Sequence, residues 1–186
     1  MERVSQFLRS EGYVVSDFHG GKEQREREEA IYRFANGSAN ILVGTDLAAR
    51  GLDIPDIANV VHYNLPVGED EYIHRVGRTG RWDATGRAFM LIGPEEHLPE
   101  YVKEKTEEYK LDDNSKKRVP LPRMATIYIG KGKKEKLSRI DIAGFLYKKG
   151  NLTREDVGAI DVKEHYAFVA VRRAKVKQLL NLIQGE

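Results

Sequence analysis

ILVGTDLAARGLDIPDI, residues 41–57, decides how this chain folds. Ile41, Leu42 and Val43 form a short apolar run, the pattern of a strand buried within a parallel sheet. Gly44, Thr45 and Asp46 follow as the turn where an α/β sheet presents ligands beyond its strand ends. A short helix is expected around Leu47–Arg50, then come Gly51 and Asp53, and Pro55 stops any helix. Downstream, YIHRVGRTGR (residues 72–81) sets Arg75, Arg78 and Arg81 three apart, interleaved with Gly77 and Gly80. Like charges at this helical spacing repel by roughly a few tenths of a kcal/mol per pair. An anion in front of them relieves that cost, and the guanidinium fork suits phosphate oxygens. Alone, such a triplet reads as a solvated helix face; beside the 41–57 turn it reads as a phosphate site.

Around these stretches the segments alternate as in a parallel α/β sheet. Helices are expected over residues 2–11, 22–35 and 70–76, and strands over 13–18, 40–45, 59–64 and 86–92. Asn36-Gly37 stops the second helix. Pro94 with Glu95 and Glu96 opens a last helix running to about Tyr109. His62 on its strand reads as a packed core histidine, and Glu26, Glu28 and Glu29 as a solvated helix face.

These motifs resemble the second RecA-like domain of DEAD-box RNA helicases. TDLAARGLD is similar to that family's motif V, HRVGRTGR to its motif VI, and HGGKEQREREEAIYRF (residues 19–34) to its helix carrying Gln-x-x-Arg. The resemblance covers roughly residues 2–109. It implies that Arg78 and Arg81 are catalytic, reaching the γ-phosphate of ATP as arginine fingers. Asp53 would bind the nucleotide ribose, Arg50 would hold the closed interface, and His74 and Arg75 would couple the two RecA-like domains. Gly20, Gln24, Arg27, Gly44 and Thr45 match the surface that grips the RNA backbone, contacts that position without reading bases. The strand that opens this domain in the family, and the first RecA-like domain with its phosphate loop and Asp-Glu-Ala-Asp, are not found in the sequence. ATP with Mg²⁺ would need that other domain, which becomes an expected partner, and no ATP hydrolysis is expected of these 186 residues alone.

Composition narrows the classes further. There is no cysteine, so disulfides and cysteine-based metal sites are excluded. No His/Asp/Glu cluster has metal-ligand spacing, no apolar stretch reaches membrane-span length, and a cytoplasmic protein is expected. Residues 1–109 hold 13 Lys+Arg against 20 Asp+Glu, whereas residues 124–186 hold 13 against 7. The net charge of +2 thus joins an acidic half to a basic one, and a basic module usually meets nucleic acid. Residues 110–123, with Lys116, Lys117, Arg118, Pro120 and Pro122, read as a stiff basic linker.

The basic module, residues 124–186, reads as β-α-β-β-α: strand 125–130, helix 139–148, strands 157–162 and 166–172, helix 174–183. That is the order of a small α+β RNA-recognition motif without its last strand. Alternation puts Ala167, Val169 and Val171 on one face and Tyr166 and Phe168 on the other, with Tyr128 beside them. These three rings fall where such a motif stacks bases; the alternative is that they pack under a loop or helix. Lys131, Lys133, Lys134, Arg172 and Arg173, with Lys175 and Lys177, form a competing phosphate-binding set. EDVGAIDV…YAFVAV resembles the tails of the bacterial DbpA and CsdA DEAD-box groups, which implies RNA remodelling directed to ribosomal RNA, in large-subunit assembly. A non-enzymatic RNA-binding protein and a protein-interaction module are the other two readings.

Overall fold

A computed structural model describes residues 1–46, 57–79, 86–110 and 119–185. The chain packs as two compact units, Met1–Gly44 with Val119–Glu186, and Thr45–Arg118. This division does not follow the chain order of the expected domains, because residues from both ends of the sequence share one unit.

In the first unit, α1 (Glu2–Ser10) begins where the Met1 carbonyl accepts the Val4 and Ser5 amides at 3.1 and 3.2 Å. Arg9 ties it to the next strand, donating to Asp17 Oδ2 at 2.5 Å and to the Val15 carbonyl at 3.2 Å. Strands β1 (Val15–Phe18) and β2 (Ile41–Gly44) pair in parallel, Val15 opposite Ile41 and Phe18 opposite Gly44. Helix α2 (Gln24–Ala35) connects them and ends at Asn36-Gly37, where Gly37 has φ +76°, a value that favours glycine.

The basic module completes this unit. Strands β5 (Met124–Ile129), β6 (Val157–Val162) and β7 (Ala167–Arg172) form an antiparallel sheet in the order β5-β7-β6. Helix α4 (Arg139–Lys148) is capped by Ser138, whose Oγ accepts the Asp141 amide at 3.2 Å while Asp141 Oδ2 accepts the Ser138 amide at 2.9 Å. With α5 (Arg173–Leu182) it covers one face of the sheet. There Ala167, Val169, Val171 and Leu179 have no exposure, with Ile142, Leu146, Leu152 and Val162 around them. The β-α-β-β-α order and the facing of β7 are as expected.

The second unit holds β3 (Asn59–His62), paired in parallel with β4 (Arg87–Met90), and α3 (Glu69–Val76). Glu69, Asp70 and Glu71 open α3 and His74 and Arg75 close it, complementing the helix dipole. One expectation fails: residues 95–109 are not helical. Pro99 lies inside that stretch, and an interior proline costs about 3 kcal/mol or more through its lost N–H and its ring clash. Side-chain anchors hold the segment instead: Tyr101 donates to the Pro66 carbonyl, and Tyr109 meets Phe89 edge-on at 5.4 Å. The helix expected at 47–50 lies outside the described residues.

Candidate nucleic-acid interface

Arg75 is the centre of the arginine helix. Its Nε and Nη2 donate to the two carboxylate oxygens of Asp46 at 2.5 and 2.8 Å, and Nη1 donates to the Asn64 carbonyl at 2.8 Å. A guanidinium held by a fork of this kind fixes the helix to Asp46 within the same unit. His62, 1% exposed, sits 3.5 Å from Arg75 Nη1 through Nδ1 and 6.0 Å from the Tyr72 ring. Burial, then the Arg75 charge, holds its imidazole below the usual value, and it is the packed core histidine expected. Arg78, half-buried one turn further on, donates from Nε to the His74 carbonyl at 3.2 Å. By its chemistry Arg78 fits a phosphate oxygen; Arg75, held by Asp46 and the Asn64 carbonyl, fits a positioning role.

In the first unit the paired ends of β1 and β2 place Gly44 beside Phe18, after which His19, Gly20 and Gly21 lead into α2. Gly20 is exposed. On α2, Arg27 Nη2 donates to Gln24 Oε1 at 2.7 Å and Gln24 Nε2 to Glu28 Oε1 at 2.9 Å, so the Gln-x-x-Arg pair forms one hydrogen-bonded row.

The same helix covers the aromatic face of the antiparallel sheet. Tyr32 stacks on Phe168 with centroids 5.4 Å apart and 28° between planes. Its hydroxyl donates to the Ala159 carbonyl and lies 3.3 Å from the Phe168 carbonyl. Burial pushes that hydroxyl's pKa up to about 12. Tyr166 donates to Glu28 Oε2 at 3.0 Å, and Lys163 Nζ lies 3.5 Å from the same oxygen. Burial raises the Glu28 carboxyl, but these partners and Gln24 together hold it below the usual range. The Arg25 guanidinium stands 5.7 Å over the Tyr128 ring. Asn36, Thr126 and Ser38 continue the seam, with 3.1 and 3.0 Å contacts.

Residues 1–83 match the helicase conserved C-terminal domain family, and residues 126–186 match the DbpA RNA-binding domain family. The chain is 36% identical to the ATP-dependent RNA helicase DbpA of Escherichia coli (strain K12), with 99% of this chain and 41% of that protein aligned. It is 28% identical to the protein of the same name from Bacillus subtilis (strain 168), over 94% of this chain and 42% of that one. The chain therefore spans less than half the length of these relatives. The solved C-terminal domain of the DEAD-box protein Dbp5 is 37% identical over 50% of this chain and 56% of that one, with a TM-score of 0.47. The chain thus joins a helicase conserved C-terminal domain to a DbpA RNA-binding domain, and it resembles the C-terminal part of DbpA helicases.

Not every residue expected of a DEAD-box site is placed as the sequence suggested. Arg50, Asp53 and Arg81 lie outside the described residues. Phe168 is a correction: with no exposure and Tyr32 against it, its ring offers no surface to a base in this arrangement. Tyr166 is half-buried and Tyr128 is 49% exposed, so the alternative of aromatics packed under a helix describes this face. Arg173 is a second correction, because its guanidinium serves the backbone: it donates to the Pro122, Met124 and Ser38 carbonyls at 2.8, 2.9 and 3.2 Å. Arg172 lies 3.3 Å from Asp156 and 3.9 Å from Glu155, and is thereby partly neutralised.

Lys131, Lys133 and Lys134 are exposed on a loop held firmly from behind. The Lys133 and Lys134 amides donate to the Lys163 and Glu164 carbonyls at 2.9 Å each, and Glu135 Oε2 accepts the Gly132 amide at 2.7 Å. A Cβ on Gly132 would stand 2.3 Å from the Lys163 carbonyl oxygen, so only glycine permits this approach. Glu28, expected on a solvated helix face, is a third correction because it meets Tyr166 and Lys163, and Arg25 and Tyr32 make contacts to the same sheet that the sequence reading missed. Their spacing, at 25, 28 and 32, is one helical stripe, and that was the available signal.

Proposed function

We propose that this chain is the motor-and-tail part of an ATP-dependent RNA helicase of the DbpA kind, acting on structured ribosomal RNA in large-subunit assembly. The supporting observation is the near end-to-end alignment with DbpA at 36% identity, through both a helicase domain and a DbpA RNA-binding domain. The working domains are residues 1–109, 110–123 and 124–186, the last similar to an RNA-recognition motif. The remaining partner is a first RecA-like domain carrying the phosphate loop, in the cytoplasm. ATP arrives with Mg²⁺ on that domain and supplies the phosphoryl group whose charge Arg78 and Arg81 stabilise. Arg75, through Asp46, holds the helix that aims them. Gly20, Gln24, Arg27, Gly44 and Thr45 grip RNA sugar–phosphate, and the loop of Lys131, Lys133 and Lys134 meets further phosphates.

Two measurements test this. Joined to a phosphate-loop domain, the chain should hydrolyse ATP in response to large-subunit ribosomal RNA, and Arg78→Ala should lower that rate by about 10³ or more. The 186 residues alone should hydrolyse none; robust hydrolysis by them that Arg78→Ala abolishes would overturn the division of labour. Changing Lys131, Lys133 and Lys134 together to glutamine should flatten the logarithmic salt dependence of RNA binding by about 2–3, roughly one per lost phosphate contact.

A further inference from the structure

We propose that α2 is an internal competitor for RNA on the tail, with Tyr32 standing where a base would stack, so that bases reach the Tyr128–Tyr166–Phe168 face only once α2 has left it. The inference rests on the reading of residues 124–186 as an RNA-binding module. Each of the three rings has a partner on α2: Tyr32 on Phe168, Glu28 on Tyr166, and Arg25 over Tyr128. Centroids 5.4 Å apart with nearly parallel planes are the geometry of a stacked pair. Tyr32 thus offers a flat ring with a polar edge, and Glu28 an anionic oxygen, which are the two things a nucleotide offers. Because Phe168 has no exposed surface, occupancy by α2 and by a base exclude each other at that ring. Masking a site in this way lowers apparent affinity by the fraction of molecules left open.

The covering helix also carries the family's own RNA-gripping residues. Arg27 bonds Gln24, Gln24 bonds Glu28, and Glu28 accepts from Tyr166, a continuous row from the motor's backbone-gripping positions to the tail's face. RNA that engages Gln24 and Arg27 draws on the same groups that hold Glu28 over the sheet. Release of the face is therefore coupled to RNA arriving at the motor.

The test uses the whole 186-residue chain and a labelled single-stranded uridine 12-mer as probe. Tyr32→Ala should bind at least fivefold tighter than the parent chain, Glu28→Ala should move the same way by less, and adding Tyr128→Ala to Tyr32→Ala should remove the gain. If Tyr32→Ala gains nothing while Tyr128→Ala weakens the parent chain, the face binds RNA with α2 in place and the competitor is overturned alone. If neither substitution changes binding, the face is no RNA site and the reading beneath the proposal falls with it. The chain has no cysteine, so a second test that leaves all three rings in place is clean: Asn36→Cys with Thr126→Cys, side chains 3.1 Å apart across the seam, joined by a reducible dithiol linker. The tethered chain should bind the 12-mer at least fivefold more weakly than the same chain after reduction. Equal binding before and after reduction would overturn the proposal whatever the alanine variants do.

Discussion

The central strand of the tail sheet and the strand that carries His62 are buried to very different depths. In β7, Ala167, Phe168, Val169, Ala170 and Val171 all have no exposure; in β3, His62 is buried while Val61 is 58% exposed. The difference is one of faces. The tail sheet has α4 and α5 on one side and α2 on the other, so its middle strand is enclosed, as in sheets with both faces covered. Within its own unit, β3 has one face occupied by Tyr72 and the Arg75 clamp.

The comparison predicts unequal responses to truncation. Leu179→Ala, in the enclosed core, should cost about 2–5 kcal/mol, measured by urea unfolding followed at the β7 amides. Val61→Ala should stay within about 0.5 kcal/mol in the same experiment, and a larger loss would show that β3 is enclosed too. Next in size is Gly132→Ala, which drives a methyl group into the Lys163 carbonyl and should cost about 1–3 kcal/mol, with loosening of the lysine loop visible in amide exchange. Asp46→Asn keeps the shape of the Arg75 clamp but removes its charge. Both side chains are partly solvent-exposed, so a loss of about 1 kcal/mol is expected, read from exchange of the α3 amides.

The smallest effects are pH windows that separate the two regions. His62 binds a proton less readily in the folded chain than its ordinary value of 6.5, so the unfolded chain gains protons first. Protection of β3 and α3 amides should fall as pH drops below that value. Glu28 is also held below its ordinary value, 4.5, so the α2–sheet seam should persist until pH falls through the lower folded-state value. At the other end, Tyr32 is pushed up from 10.0 to about 12, and the seam should weaken as pH rises above the former towards the latter. Simultaneous loss of both regions on acidification would remove the distinction.

Much of the fold is legible because it depends on local periodicity. The alternation of residues 124–183, the cap at Ser138 and the stop at Asn36-Gly37 are backbone and neighbour effects, and each element stands within a residue or two of its expected bounds. The helix expected over 95–109 rests on an acidic first turn, a weak local preference that Pro99 inside the run outweighs. The lysine loop was visible as a charge run, but the reason it holds its shape, the contact of Gly132 with residue 163, is not a local property. Phe168 is the instructive case. Its outward phase was right, yet Ala167–Val171 carries no polar residue, and such a run belongs to a strand covered on both sides.

By itself, then, the sequence determined the family resemblance, the element order of the tail, the facing of its strands 125–130 and 166–172 and the residue types able to meet phosphate, because spacing along one chain settles those. What only the tertiary structure decided is which partner each charged or aromatic group meets: Asp46 for Arg75, backbone carbonyls for Arg173, Tyr32 for Phe168. These pairings join residues 29, 51 and 136 positions apart, and the energy of a long-range contact depends on which surfaces happen to close together, a choice that no local pattern records.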